Sequence, residues 1–171
     1  DMASLTTSSL NFVKSASVNS PSVVQALAAR MQELAIRPEI EIFDVGMANY
    51  ANVLYSKGLI KGPVYANLLF GNIATAQTSI GQVAAMVNSM PSDWVTAAAG
   101  IGRSQIPANL LGISYLDGVR VGLEDNIWFD NARTQLARNY DLVKRLTRWA
   151  VEFGRDLAER DAVRRRLRLA N

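Results

Sequence analysis

The chain has 171 residues, 49% hydrophobic and 19% charged, a balance that supports one packed domain and excludes a disordered tail. It contains no Cys and no His, so disulfides, thiol nucleophiles, imidazole acid–base chemistry and the usual zinc ligands lie outside what these residues do alone. The net charge is +3, but eleven of the 18 Lys and Arg residues fall between Arg133 and Arg168, with no aromatic among Arg164, Arg165, Arg166 and Arg168. That pattern reads as the solvated face of a terminal helix, with an anionic partner as the rival reading and no nucleic-acid signature. No run of 18 apolar residues is present, and Asp1–Thr7 is neither a signal nor a transit peptide, so no membrane contact and a cytoplasmic location are expected.

In chain order, short apolar runs alternate with stretches of helical spacing. Met2–Leu5 reads as a strand, followed by a Ser- and Asn-containing loop to Asn19. Ser20-Pro21 opens a helix as cap and first helical residue, with Val23, Val24, Leu27, Ala28, Met31 and Leu34 as its apolar face. Ile40–Val45 is a strand with Glu39, Glu41 and Phe43 on one face, broken by Gly46 before a helix over Asn49–Lys57. Val64–Phe70 is a strand, then a helix capped by Thr78 or Ser79 runs to about Met90. Trp94–Ala99 is a strand and Pro107–Tyr115 a helix. Val119–Leu123 is the last strand, followed by helices over about Thr134–Phe153 and Glu159–Leu169.

Five strand–helix units in this order indicate an α/β fold with a parallel sheet, either doubly wound or part of an eightfold barrel. In both, chemistry collects at the C-terminal ends of the strands. The strongest constellation is Val119-Arg-Val-Gly-Leu-Glu-Asp-Asn126, where period-two spacing puts Arg120, Gly122 and Glu124 on one face with Asp125 just beyond. An Arg suits a carboxylate, a Glu suits a cation and an Asp suits a general base, while a plain Arg120–Glu124 ion pair capped by Asn126 fits the spacing equally. Gly100-Ile-Gly-Arg103 allows close backbone approach and places Arg103 before a helix, an arrangement suited to an anion or to a simple turn. Two acids on one face of a strand, Glu39 and Glu41, are costly unless a cation, a metal or a ligand receives them, and pairing with an interior cation such as Arg120 is the purely structural alternative. Ser4 and Thr6 supply hydroxyls from the first strand.

Four segments in order, Met2-Ala-Ser-Leu-Thr-Thr-Ser-Ser-Leu-Asn-Phe12, Pro38-Glu-Ile-Glu-Ile-Phe-Asp44, Gly100-Ile-Gly-Arg-Ser-Gln-Ile-Pro107 and Val119–Asn126, resemble the β-keto acid cleavage enzymes, the 3-keto-5-aminohexanoate cleavage enzyme family. The resemblance implies a TIM (β/α)8 barrel in which residues 1–171 are the C-terminal part of a single domain, about its last five units. It implies a zinc-dependent transferase that condenses a β-keto acid with acetyl-CoA to give acetoacetate and a new acyl-CoA. In this resemblance Glu124 is a zinc ligand beside a His-x-His pair upstream of residue 1, Asp125 is the base, and Arg120 contacts substrate or the thioester intermediate. Glu41 and the hydroxyls of Ser4 and Thr6 line the pocket, while Gly100, Gly102, Arg103 and Asn126 belong to the substrate and CoA contacts. The implied partners are small molecules and further copies of the same chain, as a tetramer. Two departures stand out: Met47 where relatives often carry His, and a shorter loop after Gly71 without the usual Gly-Gly pair. This segment alone is expected to be inactive. The rivals are an incomplete, non-catalytic barrel relative that binds a ligand or assembles, and a metal-free aldolase- or isomerase-like barrel using Glu41 and Asp125.

Overall fold

The computed structural model describes residues 1–169. β1 (Met2–Thr6) is followed by a small antiparallel hairpin, β2 (Leu10–Asn11) and β3 (Ala16–Ser17), within the stretch expected to be loop. Then come α1 (Pro21–Glu33), β4 (Arg37–Ile42), α2 (Val45–Ser56), β5 (Tyr65–Phe70), α3 (Ile80–Asn88), β6 (Val95–Gly100), α4 (Gln105–Tyr115), β7 (Gly118–Val119), α5 (Asn139–Glu152) and α6 (Arg160–Arg166). The main sheet is five-stranded and parallel in the order β1-β4-β5-β6-β7. Strands that neighbour one another in the order they occur, with helices between them, define a barrel; a doubly wound sheet would reverse direction at a switch point. The chain is therefore an α/β fold forming part of a TIM barrel.

The sheet has two unlike faces. In β4, Pro38, Ile40 and Ile42 are buried while Arg37, Glu39 and Glu41 are half-buried. In β1, Leu5 is buried and its neighbours Ser4 and Thr6 are not. The apolar face packs on α1 through Val24, Ala28 and Met31 and on α2 through Met47, Ala51 and Leu54. β5 and β6 are buried beyond their first residues, which matches their continuous apolar runs.

Several boundaries differ from the sequence reading. α1 starts as expected, with Ser20 Oγ accepting from Val23 N, but Val23, Leu27 and Leu34 of its supposed apolar face are exposed. β4 starts at Arg37 and ends at Ile42. Gly46 does not break a strand: it lies in the first turn of α2, because Asp44 Oδ1 accepts from Met47 N at 2.8 Å and caps the helix there. β7 is only two residues long rather than Val119–Leu123. Beyond it, Asn109 Nδ2 donates to Arg120 O and Gln105 Nε2 to Gly122 O, so side chains replace the ladder that a strand would make. α5 starts at Asn139, after a looped segment pinned by a Trp128–Leu136 bridge. The basic C-terminal run is partly tied down, by Arg164–Asp1 at 2.8 Å and Arg166–Asp117 at 2.5 Å. No helix among the described residues is long and apolar enough to cross a membrane.

Candidate active site

Parallel register builds the site in rows. Ser4, Glu39 and Tyr65 lie side by side across β1, β4 and β5, and Thr6, Glu41 and Asn67 form the next row. Arg120, just past β7, reaches into these rows and organises four carboxylates. Its Nη1 lies 2.6 Å from Glu41 Oε1 and 3.9 Å from Glu39 Oε1; its Nη2 lies 2.9 Å from Glu124 Oε2; its Nε lies 3.6 Å from Asp125 Oδ2. Thr6 Oγ1 donates to the other Glu41 oxygen at 2.8 Å. Tyr65 donates to Asn67 Oδ1 at 3.3 Å, and Asn67 Nδ2 donates to Glu39. A cavity of about 450 Å³ opens beside Glu39, Tyr65, Asn67 and Arg120 and is lined on its other side by Val143, Leu146 and Ala150 of α5.

The loop that carries Glu124, Asp125 and Asn126 is held from both sides. Gly102 N donates to Asp125 O at 2.8 Å. Asn126 Nδ2 donates to Gln105 Oε1 and Trp128 O, while Trp128 N donates to Asn126 Oδ1. Asn139 Oδ1, at the start of α5, accepts from Leu123 N at 3.0 Å. The turn after β6 must come close for this to work: a Cβ on Gly100 would sit 2.2 Å from Ser104 O. Gly102 itself has a left-handed φ of 57°, natural for glycine.

The electrostatics follow from one guanidinium facing four acids. Burial opposes charge on Arg120, but its hydrogen bond to Glu41 and the surrounding acids hold its pKa above the ordinary value. Asp125, with 7% of its side chain exposed, is pushed up by burial; Arg120 opposes the rise, and Glu124 and Glu41 add to it. Glu39 is raised by burial too, against the pull of Arg120 and with a push from Glu41. Burial pushes the Tyr65 phenol up to about 12, so it remains a neutral donor at physiological pH. A buried carboxylate with a raised pKa is a group fit to accept a proton, and a cluster richer in acids than in cations favours a bound cation.

Arg120, Glu124 and Asp125 come together as the spacing indicates, and Glu41 and Thr6, from two other strands, join them. Asn126 braces the loop. Ser4 is exposed on the same sheet face, one row away from Thr6. Arg103 is exposed at the turn that receives Asp125 O, and among the described residues it has no ion pair. Among the described residues, no group of three or more His, Cys, Asp or Glu side chains is arranged to hold a metal. Glu124 commits one oxygen to Arg120 and is 82% exposed, so it fits as one ligand and no more.

Sequence reasoning missed Gln105 and Asn109, both fully buried, which hold the Arg120–Gly122 backbone. Their signal was an i,i+4 pair of amides on the inner face of an otherwise apolar helix, a pattern that demands backbone partners. It also missed Tyr65, whose alternation with Asn67 on β5 was the available clue.

The family model for beta-keto acid cleavage enzymes matches residues 1–169. The 3-dehydrocarnitine:acetyl-CoA trimethylamine transferase of Rhizobium meliloti (strain 1021) is 36% identical over 151 residues, covering 88% of this chain and 50% of that protein. The 3-keto-5-aminohexanoate cleavage enzyme of Fusobacterium nucleatum is 34% identical, covering 89% of this chain and 55% of that protein. The 3-oxoadipate:acetyl-CoA acetyltransferase of Cupriavidus necator is 35% identical, covering 92% and 56%. The solved structure of ObcA in binary complex with oxaloacetate superimposes with a TM-score of 0.76 at 19% identity, over 99% of this chain and 46% of that one, a likeness of fold. The chain thus spans about half the length of the curated relatives it matches. On the match over residues 1–169, the chain belongs to the beta-keto acid cleavage enzyme family.

Proposed function

We propose that this chain is the C-terminal part of a (β/α)8 enzyme that condenses a β-keto acid with acetyl-CoA, giving acetoacetate and a new acyl-CoA. The observation that carries this reading is the single guanidinium of Arg120 shared by Glu39, Glu41, Glu124 and Asp125 at the C-terminal end of the sheet. The names of the curated relatives, which pair acetyl-CoA with keto-acid substrates, support it.

The chemistry follows from the groups present. The proton between the keto and carboxylate groups is the most acidic C–H in such a substrate. Asp125 is the base for it, since burial already favours its protonated form. The resulting enolate needs fixed positive charge, and Arg120 is the cation held in place for it by Glu41 and Thr6. Glu124 is the mobile partner of Arg120: it is 82% exposed, and when it turns away Nη2 is free for a substrate oxygen. The carbanion then attacks the acetyl thioester and releases the CoA thiolate. That thiolate adds to the original keto carbon, the C–C bond breaks with its electron pair passing to the acetoacetate enolate, and Asp125 returns the proton it took, so that acetoacetate leaves with a new acyl-CoA in place.

Zinc is part of the proposal for the whole protein only. The donors in this chain do not make a zinc site by themselves, and the step sequence above uses none; the remaining ligands would be the His-x-His pair of an upstream segment. A homotetramer and a cytoplasmic location are carried by family likeness alone.

The test is thioester exchange. The whole protein, with its upstream residues, is incubated with acetyl-CoA and a panel of β-keto acids, and acyl-CoA products are read by mass spectrometry. New acyl-CoA together with acetoacetate, and about one zinc per chain, are expected. No exchange across the panel overturns the enzyme reading and leaves a non-catalytic ligand-binding or assembly role. Residues 1–171 alone are expected to be inactive.

A further inference from the structure

Arg145 of α5 is the least explained charge in the molecule. It is 8% exposed, yet among the described residues no carboxylate forms an ion pair with it. Its Nη1 donates to Phe129 O at 2.5 Å, but among the described residues its buried Nε and Nη2 have no hydrogen-bond partner. Its guanidinium centre lies 4.4 Å from the Phe129 ring and 5.2 Å from the Trp149 ring. Such rings stabilise the flat faces of the cation and leave its in-plane N–H donors unanswered. Buried donors without partners are rare, and a buried cation without an anion is costly. Burial, helped by Arg148, lowers the Arg145 pKa, which is the mark of a charge held where a counter-charge is missing.

The surroundings supply more of the same sign. A cavity of about 580 Å³ lies between the segment after Asn126 and the outer face of α5, with Arg138, Lys144, Arg145 and Arg148 on its wall. The two acids there are already engaged: Asp141 with Arg138 at 2.7 Å and Glu152 with Arg148 at 3.5 Å. Lys144 has no ion pair among the described residues; its Nζ rests 5.8 Å from the Tyr140 ring. Lys144 and Arg148 are long and exposed, on the wall of the same cavity as Arg145. The volume falls within the range of small-molecule sites.

We propose that this cavity binds the phosphate-bearing nucleotide end of a CoA thioester, with Arg145 and Lys144 as its phosphate-binding cations. The proposal rests on the reading of the chain as an acetyl-CoA-dependent enzyme. Thr147 of α5 lines both this cavity and the one beside Arg120, so a ligand with a thioester at one end and phosphates at the other is the kind that spans them. The anion could also be free phosphate or pyrophosphate, and the experiment separates these sources.

The probes are adenosine 3′,5′-bisphosphate, pyrophosphate and acetyl-pantetheine, titrated calorimetrically into the whole protein and into Lys144→Met and Arg145→Met. The bisphosphate is expected to bind, and each variant to weaken it at least tenfold. Acetyl-CoA should lose affinity in parallel, and acetyl-pantetheine, which lacks the phosphates, should be unaffected. Lys144 is exposed, so Lys144→Met reports on the site even where Arg145→Met impairs folding. Equal bisphosphate affinity in wild type and Lys144→Met, or no binding at all, overturns the proposal. Pyrophosphate binding as tightly as the nucleotide overturns the CoA assignment and leaves an inorganic anion site. Thioester exchange with an unchanged acetyl-CoA KM in Lys144→Met sinks this site and spares the proposed reaction. Bisphosphate binding that depends on Lys144, without any exchange, does the reverse.

Discussion

Arg120 and Arg145 are both largely withdrawn from water, and their surroundings are opposite. Arg120 sits among four carboxylates. Arg145 sits against two aromatic rings, in a wall whose acids, Asp141 and Glu152, already pair with Arg138 and Arg148. One region is short of positive charge and the other short of negative charge. Neither imbalance serves stability, because a buried charge is cheapest when fully paired. On the readings proposed above, the first imbalance leaves a place for a cation beside the substrate and the second a place for phosphate.

The largest effect that tests this contrast is Arg120→Met. It leaves Glu41 and Asp125 buried beside one another without a cation. Turnover in the whole protein is expected to fall by about 10³-fold or more. Stability should drop by about 2–3 kcal/mol, below the full cost of a deeply buried pair because 21% of the side chain is exposed. Arg145→Met removes a charge that no carboxylate answers, so its loss should be smaller, about 1 kcal/mol for the bond to Phe129 O. Urea unfolding of the two variants side by side measures the difference; equal losses would mean the two arginines are structural in the same way.

Asp125→Asn comes next and separates catalysis from stability. Loss of the base is expected to cost about 10²–10⁴-fold in kcat. Stability should hold or rise at neutral pH. The Asp125 pKa is raised in the fold, so its contribution to stability is full below the ordinary carboxylate range and is lost as pH rises through the raised value. Asparagine removes that loss. A variant that keeps turnover would show that Asp125 is only a partner of Arg120.

How much of this was legible in the sequence depended on whether the signal was local. Arg120, Glu124 and Asp125 could be assembled from residue spacing near one strand end, and Glu41 from alternation on β4. The regular alternation of elements indicated a parallel sheet but left the doubly wound and barrel orders open, and only the family resemblance pointed to the barrel order. β7 could not be read correctly, because its end is set by Gln105 and Asn109 on α4, which take up the backbone after Val119. The β2–β3 hairpin has only two residues per strand, too short to leave a period. Arg145 lay inside a run of cations that reads as solvated face. Its burial comes from Phe129, sixteen residues earlier, whose carbonyl and ring both fold over it.

Glu124→Gln has a smaller structural effect and a specific functional one. Its side chain is 82% exposed, so losing the contact to Arg120 should change stability by less than about 1 kcal/mol. If Glu124 is a zinc ligand in the whole protein, metal affinity should fall by more than about tenfold, since even an outer partner of a metal ligand is worth that much. Zinc competition against a chromophoric chelator measures it. Unchanged affinity would remove Glu124 from the metal site while leaving the acid-rich cluster intact.

Glu39→Gln tests the excess of acid most gently. Glu39 is the most distant of the four carboxylates from Arg120, at 3.9 Å, and it also accepts from Asn67. Glutamine keeps an oxygen for Asn67 and removes one negative charge. Burial raises the Glu39 pKa, so the wild-type protein is most favoured where Glu39 is protonated and loses that advantage as pH rises through its folded value. The variant should therefore match wild type in acid and exceed it at neutral pH. Thermal unfolding from pH 4 to pH 8 reads this directly, as two curves that part with rising pH. If the wild type gains on the variant instead, Glu39 is a settled member of the Arg120 ion-pair network. The cluster would then be balanced rather than short of a cation, and the contrast with Arg145 would reduce to one unsatisfied arginine.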